Sequence, residues 1–143
     1  MIAHAIREIG LSDRAVLAAA VDAFGATDDR SDEWVTGFVA DRLSFAFVAL
    51  GADDEMLGWI WGSIIRRPDA PATARIEALD VRSDARRSGI GSMLFDAAYA
   101  HARQLLCGDV VADVSPDAGP AVVGFVESLR PVRSARAQVC WSL

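Results

Sequence analysis

Between Ser12 and Phe24 the apolar residues Val16, Leu17, Ala20, Val21 and Phe24 recur at three- and four-residue intervals, the spacing of one helix face. Ser12 or Asp13 offers an N-cap and Gly25 a stop. Ahead of this helix, Ile2 to Ile9 reads as a first strand. A polar, acid-rich link runs from Thr27 to Glu33. A second helix is predicted from near Asp32 to Arg42, with Trp34, Val35, Phe38 and Val39 on its apolar face. The pattern then changes to two strand-like apolar runs, Phe45 to Leu50 and Met56 to Ile65, and the turn from Gly51 to Glu55 makes them a hairpin. Two-residue alternation in the second run sets Trp59 and Trp61 on one face with Leu57. Gly58 and Gly62 fall on the other face, where a helix can pack closely. The loop from Arg66 to Thr73 holds Pro68 and Pro71. A strand from Ala74 to Val81 and a long helix from Ser92 to Leu106 follow; Ile90, Leu94, Ala97, Ala98 and Leu105 form one broad apolar face. Asp109 to Val114 is a further strand. Pro116 to Pro120 is a loop opening a helix from Ala121 to Leu129, which Pro131 stops. Val132 to Leu143 is a last strand or a short hairpin.

The predicted order is β-α-α-β-β-β-α-β-α-β in one domain of 143 residues, without internal repeat. The longest nearly uncharged stretch, around Leu43 to Ala52, is too short to span a bilayer, so no membrane role is expected. The segment from Met1 to Gly10 lacks the apolar run of a secretory signal, and a cytoplasmic location is expected. A net charge of −6 argues against a nucleic-acid partner. Cys107 and Cys140 form no CxxC pair, and with only His4 and His101 no metal site is expected.

The chemistry concentrates in Arg86-Arg87-Ser88-Gly89-Ile90-Gly91, which has the form Arg-x-x-Gly-x-Gly between a strand and a helix. Glycines let a backbone approach closely, and the first N–H groups of a helix point at an anion. Two arginines add charge and forked donors for phosphate oxygens. A phosphate-bearing ligand is therefore predicted. A P-loop requires lysine, and all 14 basic residues here are arginine. A dinucleotide fingerprint requires a third glycine where Leu94 stands. The remaining reading is the pyrophosphate loop of an acyl-coenzyme A site.

With Ile76-Glu77-Ala78-Leu79-Asp80-Val81, the Arg86-x-x-Gly89-Ile90-Gly91 loop and the long helix, the chain resembles the GNAT family of N-acetyltransferases. The resemblance extends loosely from the first strand to Trp141. It implies an α/β (α+β) fold: a mixed, mostly antiparallel sheet of six to seven strands flanked by about four helices. It implies acetyl-CoA as co-substrate, with Arg86, Arg87, Ser88, Gly89, Ile90, Gly91 and Ser92 around its pyrophosphate. It also implies a bulge that splays the cofactor strand, one the sequence itself does not show, and there a backbone N–H near Leu79, Asp80 and Val81 as the donor to the thioester carbonyl. Glu77 is the candidate base, a carboxylate on an apolar strand whose pKa desolvation would raise; a salt bridge to Arg75 is the competing reading. Asp80 is the next candidate, and alternation puts it on the opposite face of the strand.

At the family's general-acid tyrosine this chain has Phe125 or Val126, depending on register. The only tyrosine, Tyr99, lies about 12 Å along the long helix from Gly91, too far to serve. In the family the link between the first two helices often walls the acceptor pocket. Here it carries Asp28, Asp29 and Asp32, with Trp34 following, a set that suits a cationic amine or polyamine. Four short features are similar to the aminoglycoside 3-N-acetyltransferase branch: Leu17 to Gly25 ending in Phe-Gly, Phe45 to Leu50, the Arg86-Arg87-x-Gly89-Ile90 form, and Pro120-Ala121-Val122. The resulting expectation is an acetyltransferase acting on a primary amine of a small molecule, an aminoglycoside or polyamine among the candidates. Protein or peptide acetylation and a non-catalytic acyl-CoA-sensing module are the alternatives. A final strand near Val139 to Leu143 is a candidate for pairing in a homodimer.

Overall fold

The computed structural model describes residues 5–115, 117–131, 133–135 and 138–143. The first strand, β1, is Ala5–Glu8; the rest of the predicted Ile2 to Ile9 segment before Ala5 lies outside the described residues. Helices α1 (Arg14–Phe24) and α2 (Asp32–Ala40) follow, then β2 (Ser44–Leu50), β3 (Met56–Ile65) and β4 (Thr73–Val81). The chain continues with α3 (Ile90–Gln104), β5 (Asp109–Asp113), α4 (Pro120–Ser128), β6 (Arg133–Ala135) and β7 (Gln138–Ser142). The C-terminal stretch is thus a hairpin. The sheet has seven strands in the order β1-β2-β3-β4-β5-β7-β6, and among the described pairs only β4 with β5 is parallel. This is the mixed, mostly antiparallel α+β architecture expected.

Both faces of the sheet are covered, which is why β2 reads as an unbroken apolar run. Phe45 and Phe47 face α3, packing with Leu57, Ile60, Leu94 and Phe95. Ala46, Val48 and Leu50 face α1 and α2, packing with Leu17, Ala20, Val35 and Trp59. Val126 of α4 and its C-cap residue Leu129 pack on the α3 side. Helix α1 is fixed at its start by Asp13, whose carboxylate accepts the Gly10 N–H at 2.8 Å and pairs with Arg7. Gly25 ends α1 in an extended conformation; a Cβ there would sit 2.5 Å from the Val21 carbonyl.

Two β-bulges change the side-chain parity that alternation predicts. Ala49 pairs with Gly58 but Leu50 pairs with Met56, so Leu57 is an extra residue. Side chains at a bulge can share a face, and Leu57 packs with the α3 core, not with Trp59 and Trp61. The second bulge is on β4: Trp61 pairs with Ala78 and Gly62 with Ile76, which leaves Glu77 as the extra residue. Gly62 is required opposite this bulge, because a Cβ would come within 2.0 Å of the Arg75 carbonyl oxygen and 2.8 Å of the Phe45 ring.

β7 does not present a free strand at Val139 and Cys140. Both are paired to β5 on one side and to β6 on the other, so β6 is the edge. Cys107 and Cys140 are buried and unbridged, and burial pushes the Cys107 thiol up. No helix among the described residues is long and apolar enough to cross a membrane.

Candidate active site

The parallel pairing of β4 with β5 covers only Thr73 to Ile76. From Glu77 onward the two strands part. Arg82 donates its N–H to the Leu57 carbonyl at 2.8 Å, so Arg82 and, by alternation, Asp80 turn their N–H groups toward β3. The N–H groups of Leu79 and Val81 then face the opposite edge. No strand among the described residues pairs with that edge beyond Ile76. An extended chain or ligand arm can hydrogen-bond there as a further strand would.

The phosphate-loop residues stand at the end of this open edge. A short 3-10 turn, Ser83–Ala85, leads into Arg86, and the chain then uses two left-handed residues, Arg87 at φ 63° and Gly89 at φ 83°. Gly89 is the N-cap of α3, two residues earlier than the sequence pattern indicated, and Met93 N–H closes the first helical bond onto its carbonyl at 3.0 Å. No side chain caps this terminus. The first-turn N–H groups of Ile90, Gly91 and Ser92 therefore lack the intrahelical acceptor that later residues have. A Cβ added at Gly89 would meet nothing within 4 Å, so the space above this backbone is open. Successive N–H groups in a loop of mixed handedness at a helix N-terminus form a concavity for anions. The residues present thus fit a pyrophosphate.

The side chains of the loop divide by task. Arg86 donates Nε–H to the Val81 carbonyl at 3.2 Å, tying the loop to the end of β4. Arg87 is exposed and makes no ion pair among the described residues. The Ser88 hydroxyl is spent on the Ala85 carbonyl at 2.5 Å, and the Ile90 side chain lies in the core. Ser88 and Ile90 therefore offer backbone only. The Phe125 ring of α4 would lie 3.1 Å from a Cβ on Gly91, so this glycine lets α4 close over the start of α3. Tyr99 donates its hydroxyl to the Ser142 carbonyl at 2.7 Å, well down α3, and is committed there.

Glu77 and Asp80 both sit on the open stretch of β4, and the bulge turns them to the same face, not to opposite ones. Glu77 accepts Arg75 Nε–H at 2.9 Å; Arg75 also pairs with Asp113 of β5. Asp80 accepts the Trp59 indole N–H at 2.7 Å, and Trp59 belongs to the core beneath α1 and α2. Glu77 is not sealed in an apolar surround: its side chain is 37% exposed and ion-paired with Arg75.

On that same face lies a cavity of about 280 Å³ between α1, α2 and β3. Trp59 and Trp61 form its floor, with ring centroids 6.2 Å apart, and Phe38 meets Trp61 edge-on at 5.9 Å. Trp34, expected near the acceptor, lines the mouth, but Asp28, Asp29 and Asp32 do not line the cavity. Asp28 and Asp29 are exposed on the link, and Asp32 pairs with Arg30, which also takes Asp22 at 2.9 Å. Arg30 alone among the lining residues is charged. Reading the sequence as separate segments missed this cavity, although the alternation of Trp59 and Trp61 was its visible signal. Among the described residues no group of three His, Cys, Asp or Glu side chains could hold a metal ion.

Solved proteins share this fold. The fold superposes on the aminoglycoside acetyltransferase meta-AAC0020 from an uncultured soil metagenomic sample, solved in complexes with trehalose and with sisomicin. That similarity has a TM-score of 0.82 at 16% identity, over 92% of this chain and 90% of that one. A ribosomal-protein-alanine N-acetyltransferase from Brucella melitensis biovar Abortus 2308 gives 0.71 at 17%, over 93% and 94% of the two chains. A chain of the NatC complex bound to Gag peptide and CoA gives 0.74 at 15%, over 98% of each. No curated protein matches in sequence. The model of the acetyltransferase (GNAT) family matches residues 14–129; together with the parted β4–β5 edge and the uncapped glycine loop of α3, this makes the chain a member of the GNAT family and an N-acetyltransferase, in a family whose acyl donor is acetyl-CoA.

Proposed function

We propose that this chain transfers the acetyl group of acetyl-CoA to a primary amine of a small molecule. The observation that carries the reading is the continuity of the open β4 edge with the uncapped start of α3. The pyrophosphate would rest on the N–H groups of Gly89 to Ser92, with Arg86 and Arg87 beside it. The pantetheine arm would lie along Leu79 to Val81 as a missing strand. The thioester carbonyl would accept from the Leu79 N–H, a donor fixed by the sheet before charge develops on the oxygen. Glu77 would take a proton from the acceptor ammonium, directly or through water. The free amine then attacks the carbonyl carbon, the new N–H2+ group gives its extra proton to water, the tetrahedral oxyanion collapses, the C–S bond breaks and the thiolate leaves. Phe125 supplies no hydroxyl, so the thiolate takes its proton from solvent.

Asp80 is a second reading for the base, favoured by its place opposite Trp59 on the cavity floor and by Arg75's hold on Glu77. A thiol-release assay over aminoglycosides, polyamines, simple amines, amino acids and peptides tests the whole. Turnover of peptides alone would replace the small-amine reading with protein acetylation, the activity in the name of one of the similar structures. A raised melting temperature with acetyl-CoA but no turnover on any acceptor would mean a sensing module. Glu77→Gln should slow turnover near neutral pH by roughly 10²- to 10⁴-fold while leaving acetyl-CoA affinity unchanged. If Asp80→Asn does this and Glu77→Gln does not, Asp80 is the base.

A further inference from the structure

We propose that the acceptor is a primary amine carried on a compact aromatic or branched aliphatic body, seated with that body in the tryptophan-walled cavity. This rests on the amine-acetylating reading above and names the class of amine.

The cavity selects by what its walls lack. Trp34, Trp59, Trp61, Phe38, Val21 and Val35 surround it, and Arg30 is its only charged lining residue. Arg30 is itself engaged by Asp22 and Asp32, which raise its pKa. A polyamine or aminoglycoside entering would bring further ammonium groups to a wall that has no carboxylate and one guanidinium. A buried charge needs a partner, and a buried hydroxyl needs a hydrogen bond. Aromatic faces attract a single cation but do not satisfy the many hydroxyls of an aminosugar. At about 280 Å³ the space also lies just below the roughly 300–1,000 Å³ usual for ligand pockets, so it suits one ring rather than three.

The cavity also leads to the reacting edge. Its floor strand β3 is the neighbour of the open stretch of β4: Trp61 is opposite Ala78 and Trp59 opposite Asp80. The Trp59 indole N–H is hydrogen-bonded to the Asp80 carboxylate at 2.7 Å. An amine whose body fills the tryptophan pocket therefore presents its nitrogen toward the β4 end, beside Asp80 and Glu77. Trp34, 62% exposed at the mouth, supplies a large apolar ring that an incoming apolar body would cover.

The test compares 2-phenylethylamine and 3-methylbutylamine with 1,4-diaminobutane, spermidine and sisomicin, using acetyl-CoA and thiol release. Expected is a kcat/KM at least tenfold higher for the two apolar amines than for the diamine. Trp34→Ala should lower kcat/KM for 2-phenylethylamine at least tenfold while leaving the acetyl-CoA Kd unchanged. In the absence of donor, 2-phenylethylamine should change the tryptophan fluorescence of the parent in a saturable way. Equal or better turnover of spermidine or sisomicin would overturn this proposal and leave the acetyltransferase reading standing. Saturable fluorescence binding of 2-phenylethylamine without turnover of any amine would uphold the cavity's selectivity and sink the small-amine reading. An unchanged kcat/KM in Trp34→Ala would remove the cavity mouth from recognition and overturn the proposal.

Discussion

Gly89→Ala separates two roles that one glycine holds in the phosphate loop. Gly89 sits at φ 83°, a conformation that costs a residue with a Cβ about 1–2 kcal/mol. Replacing glycine also narrows the unfolded ensemble, returning about 0.4–1 kcal/mol. No protein atom lies within 4 Å of the added methyl, so no clash adds to the cost. The net loss of stability is then about 1 kcal/mol. With an unfolding entropy of about 2.1 cal/mol/K per residue over 143 residues, that lowers Tm by about 3 °C. Acetyl-CoA should lose more. The methyl fills the space through which a phosphate oxygen would reach the Gly89 to Ser92 N–H groups. Losing one or two charge-assisted hydrogen bonds, at about 1.5–3 kcal/mol each, raises Kd roughly ten- to a hundredfold or more. Calorimetric titration with acetyl-CoA reads the second quantity and a thermal melt without ligand the first. Gly89→Asn is the control, because asparagine tolerates the left-handed region but is bulkier: Tm should recover and affinity should not. A Kd within twofold of the parent, with Tm lowered as expected, would refute the location of the pyrophosphate over Gly89.

Two further predictions concern the frame of the site. In Gly62→Ala the new Cβ would lie 2.0 Å from the Arg75 carbonyl oxygen; backbone must shift, and denaturant unfolding should show a loss of more than about 2 kcal/mol. A loss below about 0.5 kcal/mol would mean that the β4 bulge is not held as described. Asp13 has a lowered pKa, chiefly from the Gly10 N–H and then from Arg7, against the opposing effect of burial. A depressed carboxylate stabilises the fold above its unfolded value of about 3.8, and the contribution fades as pH falls through the lower folded value. Asp13→Asn should therefore melt lower than the parent at neutral pH, with the gap closing as melts are taken progressively below the unfolded value of about 3.8. A gap that persists unchanged in acid would rule out the carboxylate charge as its cause.

Much of the frame was legible because it depends on local patterns. Met56 to Ile65 reads as a strand from its run of apolar residues between turn signals, and the Gly119-Pro120 pair marks the start of α4. The loop from Arg86 to Gly91 could be read as a glycine turn opening a helix for the same reason: its turn and its helix are neighbours in sequence. What escaped the sequence depends on partners far along the chain. Neither bulge has a local signature, because an extra residue exists only relative to the register of the opposite strand; Leu57 and Glu77 consequently changed faces. The acids of the Thr27 to Glu33 link suggested a cationic pocket because their charges were visible. Arg30's capture of Asp22 and Asp32 was not. The last strand is covered from Gln138 to Cys140 because Arg133–Ala135, a three-residue strand, pairs with it there.

The short parallel pairing of β4 with β5 has a mechanical consequence. Four rungs, Thr73 to Ile76 against Asp109 to Ala112, are the strand pairing that joins the four-stranded half, β1 to β4, to the three-stranded half. The molecule is in this respect a hinge with a notch cut beside it, and the notch is where the acyl donor would lie. A bound pantetheine arm would extend the seam and stiffen it. The two halves would then breathe least when the enzyme is loaded and most after the product has left, so the slow exchange of amide protons across β5 and β7 would record occupancy of a site those strands only border.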